Sequence, residues 1–120
     1  MAYKPSQIVL NTPDNNWLAN PNQNYKIIAK LYDLNDNLVK NSSGIKLTIS
    51  VAPETASMAK IVGKATVVAN NGEATFLINP IGKSGTVRFY VKGVGLIDGY
   101  IELHLKRKFV GADFEQIQPK

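Results

Sequence analysis

Thr66-Val67-Val68-Ala69-Asn70-Asn71-Gly72-Glu73-Ala74-Thr75-Phe76-Leu77-Ile78 is the stretch on which the fold turns. On both sides of Asn70-Asn71-Gly72, apolar and polar side chains alternate, the period-two pattern of a strand with one face buried. Asn-Gly between two such runs signals a tight hairpin, because both residues accept the positive φ that the turn needs. The spacing predicts strands over residues 64–69 and 73–79, with a third at 86–92, Thr86-Val87-Arg88-Phe89-Tyr90-Val91-Lys92, after a short loop bearing Gly82 and Gly85.

The same grammar runs outward in both directions. Towards the N-terminus, residues 6–11 form a first strand, ended by Thr12-Pro13-Asp14-Asn15-Asn16. Residues 25–33 form the most regular strand, with Tyr25, Ile27, Ala29 and Leu31 on one face. Asp33-Leu34-Asn35-Asp36-Asn37 turns the chain into a short strand around Leu38-Val39, and residues 45–51 alternate cleanly with Ile45, Leu47, Ile49 and Val51 inward. Residues 53–60 read as a loop between sheets. Towards the C-terminus, Ile101, Leu103 and Leu105 face inward on a last strand over 100–106. Seven or eight short strands with frequent turn signals predict an all-β, Ig-like antiparallel β-sandwich. Its expected core is Ile8, Leu10, Ile27, Ala29, Leu31, Leu47, Ile49, Val67, Phe76, Ile78, Val87, Phe89, Val91, Ile101 and Leu103.

The 120 residues suffice for one domain, placed at residues 1–105, with 106–120 as a C-terminal extension or docking arm. There is no cysteine, so disulfides and thiolate chemistry are excluded. No apolar run reaches the roughly 20 residues of a membrane span, and the first residues lack the apolar core of a secretory signal. The net charge of +5 comes from scattered lysines, with one cluster at Lys106-Arg107-Lys108. That scatter argues against nucleic-acid binding, which needs a basic stripe with stacking or groove-reading elements.

Catalytic chemistry finds few parts. His104 is the single histidine and faces outward on the last strand, which removes the usual zinc and nucleophile–base pairings. Asp33, Asn35, Asp36 and Asn37 offer oxygens to calcium, but turn formation explains them more simply. Tyr3, Trp17, Tyr32 and Tyr90 are candidates for an aromatic sugar platform, set against ordinary cross-strand packing. No cofactor is implied and no enzyme activity is expected.

From Pro5 to Leu105 the order of pieces resembles the bacterial immunoglobulin-like domain of the invasin/intimin type, Big-1. Pro5-Ser6-Gln7-Ile8-Val9-Leu10, Ala29-Lys30-Leu31-Tyr32-Asp33 through Val39, Ile45-Lys46-Leu47-Thr48-Ile49, Asn70-Asn71-Gly72-Glu73-Ala74-Thr75-Phe76 and Ser84-Gly85-Thr86-Val87-Arg88-Phe89 carry the resemblance. Asn35-Asp36-Asn37 stands where such domains typically place a turn with glycine. The resemblance implies a non-enzymatic structural or binding module: a spacer in an adhesin, an appendage of a secreted enzyme, or a part of a phage virion.

The expected role is that of an Ig-like auxiliary or decoration protein of a phage virion, contacting capsid or tail proteins. A chain that opens on Met1 and is nearly filled by the matched domain reads as a small whole protein. Lys106, Arg107, Lys108, Phe109, Phe114 and Ile117 are the expected contact residues, since aromatic and arginine anchors carry most interface energy. The alternatives are a stalk or adhesion module at the bacterial cell surface or outside the cell, or a carbohydrate-binding accessory domain contacting host-surface glycans.

Overall fold

A computed structural model describes residues 5–13, 16–40 and 44–107. Eight strands run in chain order: β1 (Gln7–Asn11), β2 (Tyr25–Tyr32), β3 (Lys46–Val51), β4 (Ala59–Val62), β5 (Thr66–Val68), β6 (Glu73–Pro80), β7 (Gly85–Lys92) and β8 (Gly99–Leu105). They form two four-stranded antiparallel sheets, β1-β2-β6-β4 and β5-β3-β7-β8. The result is the predicted Ig-like sandwich, each sheet placing one side of its alternation in the core and the other in water. No helix among the described residues is long and apolar enough to cross a membrane.

The expected core is buried except for Val67 and Ile101, which pack partly exposed against it. Leu105, Val39, Tyr25 and Trp17 join the core as well, with Trp17 at 0 % exposure.

The Asn70-Asn71-Gly72 turn forms, but the hairpin does not. Asn71 and Gly72 take φ of 55° and 76°, as a tight two-residue turn requires. Asn70 and Glu73 exchange backbone bonds of 2.9 and 3.1 Å. Pairing stops there, because β5 pairs with β3 while β6 pairs with β2, in opposite sheets. The turn is a corner between layers. A Cβ on Gly72 would collide with the Val39 carbonyl, while the Gly72 carbonyl accepts from the Leu31 N–H at 2.9 Å. That close approach, not the turn alone, demands glycine.

Two strand assignments change. Leu38 makes only a single bridge to Tyr32, and Val39 is buried by donating its N–H to the Leu31 carbonyl at 2.9 Å. The expected loop over 53–60 instead holds a 3-10 turn at Pro53–Thr55 and the start of β4, which pairs Ala59–Val62 against Pro80–Leu77. Ile61 and Val62 before Gly63 were its sequence signal.

β1 and β8 run parallel along one side of the sandwich, linked by the bridge Gln7↔Ile97 near their start and by Leu18↔Lys106 below them. The described chain therefore comes in at one pole, beside Tyr32, residues 33–37 and Ile97, here called the upper pole. It leaves at the lower pole, beside Trp17 and Ala19.

Candidate interaction surface

β7 and β8 place a mixed aromatic and charged group of side chains on one open surface. Their register pairs Thr86 with His104, Arg88 with Glu102 and Tyr90 with Tyr100, so these side chains share the outer face of the β5-β3-β7-β8 sheet. The Tyr90 and Tyr100 rings lie 5.1 Å apart at 46°, a favourable tilted geometry for two quadrupoles. Tyr100 is 47 % exposed.

Glu102 ties this face together. Its Oε1 accepts from Arg88 Nε at 3.1 Å and from the Tyr100 hydroxyl at 3.0 Å, and Arg88 also reaches the Glu54 carboxylate at 3.7 Å. The Arg88 hydrogen bond, with that of Tyr100 second, holds the Glu102 carboxyl below its ordinary value. The same contact raises the Arg88 guanidinium. Desolvation, with the hydrogen bond to Glu102, pushes the Tyr100 phenol up. Exposed ion pairs add little stability. Their effect is geometric: the Tyr100 phenol and the Arg88 guanidinium are held in place on an open sheet, with the Tyr90 ring against Tyr100. His104 lies at its margin, with Nδ1 3.4 Å from the Thr86 hydroxyl.

The expected aromatic platform does not assemble. Trp17 is buried between the sheets, stacked on Tyr25 at 4.8 Å and 12°, and tilted against Phe89 at 6.0 Å. Its indole N–H donates to the Thr12 hydroxyl at 3.2 Å. Tyr32 belongs to β2 of the opposite sheet, and Tyr3 lies outside the described residues. Tyr90 instead meets Tyr100. Sequence alternation places both tyrosines outward, but only the register set by the loop over residues 93–98 brings them together.

The residues weighed for calcium form a self-contained turn. Asp33 Oδ1 accepts the Asn35 and Asn37 backbone N–H groups at 2.8 and 3.0 Å, and Oδ2 accepts the Asn37 amide at 3.4 Å. Backbone donation from Asn37 is the main reason that its pKa is lowered. Asp36 takes the left-handed position at φ 62°, standing in for a glycine as Asp can, and accepts from Gln7 Nε2 at 2.8 Å. No group of three acidic, His or Cys side chains among the described residues is arranged to hold a metal.

Of the expected contact residues, Lys106 and Arg107 are described; Lys108, Phe109, Phe114 and Ile117 lie outside the described residues. Lys106 is tied to the sandwich. Its N–H donates to the Trp17 carbonyl at 2.9 Å, its carbonyl accepts from Ala19 at 2.7 Å, and its ammonium reaches Asn16 Oδ1 at 3.2 Å. Arg107 is exposed at the lower pole.

No protein-family model matches the chain, and no curated protein does. Solved structures do. A β-glucuronidase of Parabacteroides merdae superposes with TM-score 0.67 at 20 % identity, over 87 % of this chain and 13 % of that one. The D00-D0 domain of intimin gives 0.64 at 12 % identity, over 88 % of this chain and 49 % of that one. The adhesin InvE of Yersinia pseudotuberculosis gives 0.64 at 12 % identity, over 88 % and 33 %. The chain thus spans under half the length of each of these proteins, and at such identities the likeness is one of fold. What they share with this chain is the Ig-like β-sandwich, found in adhesins and in glycosidases alike.

Proposed function

We propose that the protein is a non-catalytic Ig-like module that joins parts of a larger surface or extracellular assembly through the outer face of its β5-β3-β7-β8 sheet. The observation that carries this is the placement of Tyr90, Tyr100 and Arg88 together on an open sheet, with Glu102 bonding Arg88 and Tyr100 and the Tyr90 ring packed on that of Tyr100. Tyrosine and arginine are the residues that most often anchor protein contacts. A plain cross-strand packing pair is the competing explanation, and it requires no partner.

The narrower roles divide by location. A stalk or adhesion module at a bacterial surface is the form that the fold likeness to intimin and InvE favours. A carbohydrate-binding accessory domain is the form that likeness to a glycosidase favours. A phage-virion role rests on the segment 106–120, most of which lies outside the described residues.

Immunogold labelling of producing cells and of any particles they release separates these forms. Tyr100→Ala serves as the control for the docking face. Label on the envelope that Tyr100→Ala abolishes supports the surface module. Label on particles in fixed stoichiometry supports the virion role. Glycan-array binding that Tyr100→Ala removes supports the accessory domain. Identical distribution of wild type and Tyr100→Ala overturns the docking face.

A further inference from the structure

The lower pole carries a cationic cavity that is separate from the tyrosine face. It has a volume of about 500 Å³ and is lined by Ala19, Gly82, Lys83, Ser84 and Arg107. The loop from β6 to β7 supplies three of these residues, and Gly82 turns it at φ 106°, a conformation that side chains rarely adopt. Among the described residues, the backbone N–H groups of Gly82, Lys83 and Ser84 have no acceptor. Neither Lys83 nor Arg107 has a carboxylate partner there, the ion pairs of the described residues all belonging to Arg88. Lys106, the neighbouring cation, is already held by Asn16.

We infer that this cavity is a carboxylate site for an acidic polypeptide segment. Among the described residues its lining has donors in excess: a guanidinium fork, an ammonium, a hydroxyl and a run of free main-chain N–H groups, with no acidic side chain. A guanidinium matches the two oxygens of a carboxylate in one plane. The volume exceeds what a bare ion needs and falls in the range of sites for organic ligands, about 300–1,000 Å³, which leaves room for a carboxylate side chain. Among the described residues no aromatic ring lines it, so they offer a sugar no stacking surface of the kind on which such ligands usually rest. The site is independent of Tyr90 and Tyr100 and stands whether or not that face docks a partner.

The test is a titration of the full ¹⁵N-labelled chain with the capped peptide hexaglutamate at low salt, followed by amide and Arg Nε shifts. Saturable shifts confined to Ala19, Gly82, Lys83, Ser84 and Arg107 are expected, fading as salt screens the charges. Arg107→Gln and Lys83→Gln should each weaken binding about fivefold, the upper end for an exposed charge pair. Lys46→Gln, at the opposite pole, should leave it unchanged, as should Tyr100→Ala. Unperturbed spectra confirm that each variant is folded. Absence of saturable shifts at these residues overturns the site, as does equal weakening by Lys46→Gln. Tighter binding of inorganic phosphate, or of D-glucuronate, than of hexaglutamate overturns the acidic-polypeptide assignment.

Discussion

Two aromatic pairs in this molecule have nearly equal ring separations and opposite surroundings. Trp17 and Tyr25 stack at 4.8 Å inside the sandwich, while Tyr90 and Tyr100 tilt at 5.1 Å on its outside. The inner pair closes the lower pole: Trp17 also meets Phe89 of the opposite sheet, and the Tyr25 hydroxyl accepts the Leu18 backbone N–H at 2.9 Å. The outer pair touches no second layer and bonds to a carboxylate that is itself exposed. Ring contact alone therefore says nothing about role. What separates the pairs is how much else depends on the rings.

The inner pair depends most on Trp17. Trp17→Ala removes the largest fully buried side chain and should cost about 3–5 kcal/mol, a large part of a small domain's stability. Urea unfolding measures it, and a loss as small as that of a surface tyrosine would mean that the lower pole is not sealed by this ring. Tyr25→Phe keeps the stack and deletes only the hydroxyl that accepts from Leu18. A loss of about 1–3 kcal/mol is expected, the cost of leaving a partly buried N–H unpaired.

On the outer pair the effects shrink. Tyr100→Ala should move the thermal midpoint by only about 2–4 °C, the scale of an ordinary surface substitution, while removing partner binding. A much larger fall in calorimetry would make the outer pair a structural element after all.

The smallest effect is in acid. The Arg88 and Tyr100 hydrogen bonds lower the folded pKa of Glu102 below its ordinary value of 4.5. A depressed folded pKa gives stability that is present above the unfolded value and is lost as pH falls through the folded one. Glu102→Gln should therefore flatten the decline in urea midpoint between about pH 6 and about pH 3, while Trp17 and Tyr25 variants keep the wild-type slope. Equal slopes in Glu102→Gln and wild type would show the carboxylate to be uncoupled from folding.

Most of the sandwich was legible because alternation is a local property. Leu47 and Ile49, or Val87, Phe89 and Val91, announce a buried face through spacing alone, and all are buried. Trp17 was not legible in this way. It sits between Asn16 and the Asn20-Pro21-Asn22 turn, without a period, and only the meeting of β2 and β7 residues around it decides its burial. β4 was hidden by its brevity and its opening alanine. The Asn-Gly signal correctly marked a turn but could not say which strands would pair, since partner choice depends on β3 and β2 far away in sequence. On the surface, Arg88, Tyr90 and Tyr100 were each legible as outward residues. Their grouping needed the cross-strand register, which sequence spacing across an irregular loop does not determine. The weighed platform of Trp17 and Tyr32 failed on other grounds, since Trp17 is buried between the sheets and Tyr32 lies on the opposite one.

The parallel course of β1 and β8 between opposite poles has a mechanical consequence. A tensile load applied through residues 5 and 107 draws β1 upward against β2 and β8 downward against β7. Five register pairs resist on one ladder and seven on the other. Bonds loaded along the strands share the force and fail together, whereas bonds peeled from an end fail one at a time. Pulled by its two ends, the domain should rupture at a distinctly higher force than when pulled across its sheets. Its lifetime under tension is then set by the rate of unfolding rather than by equilibrium stability.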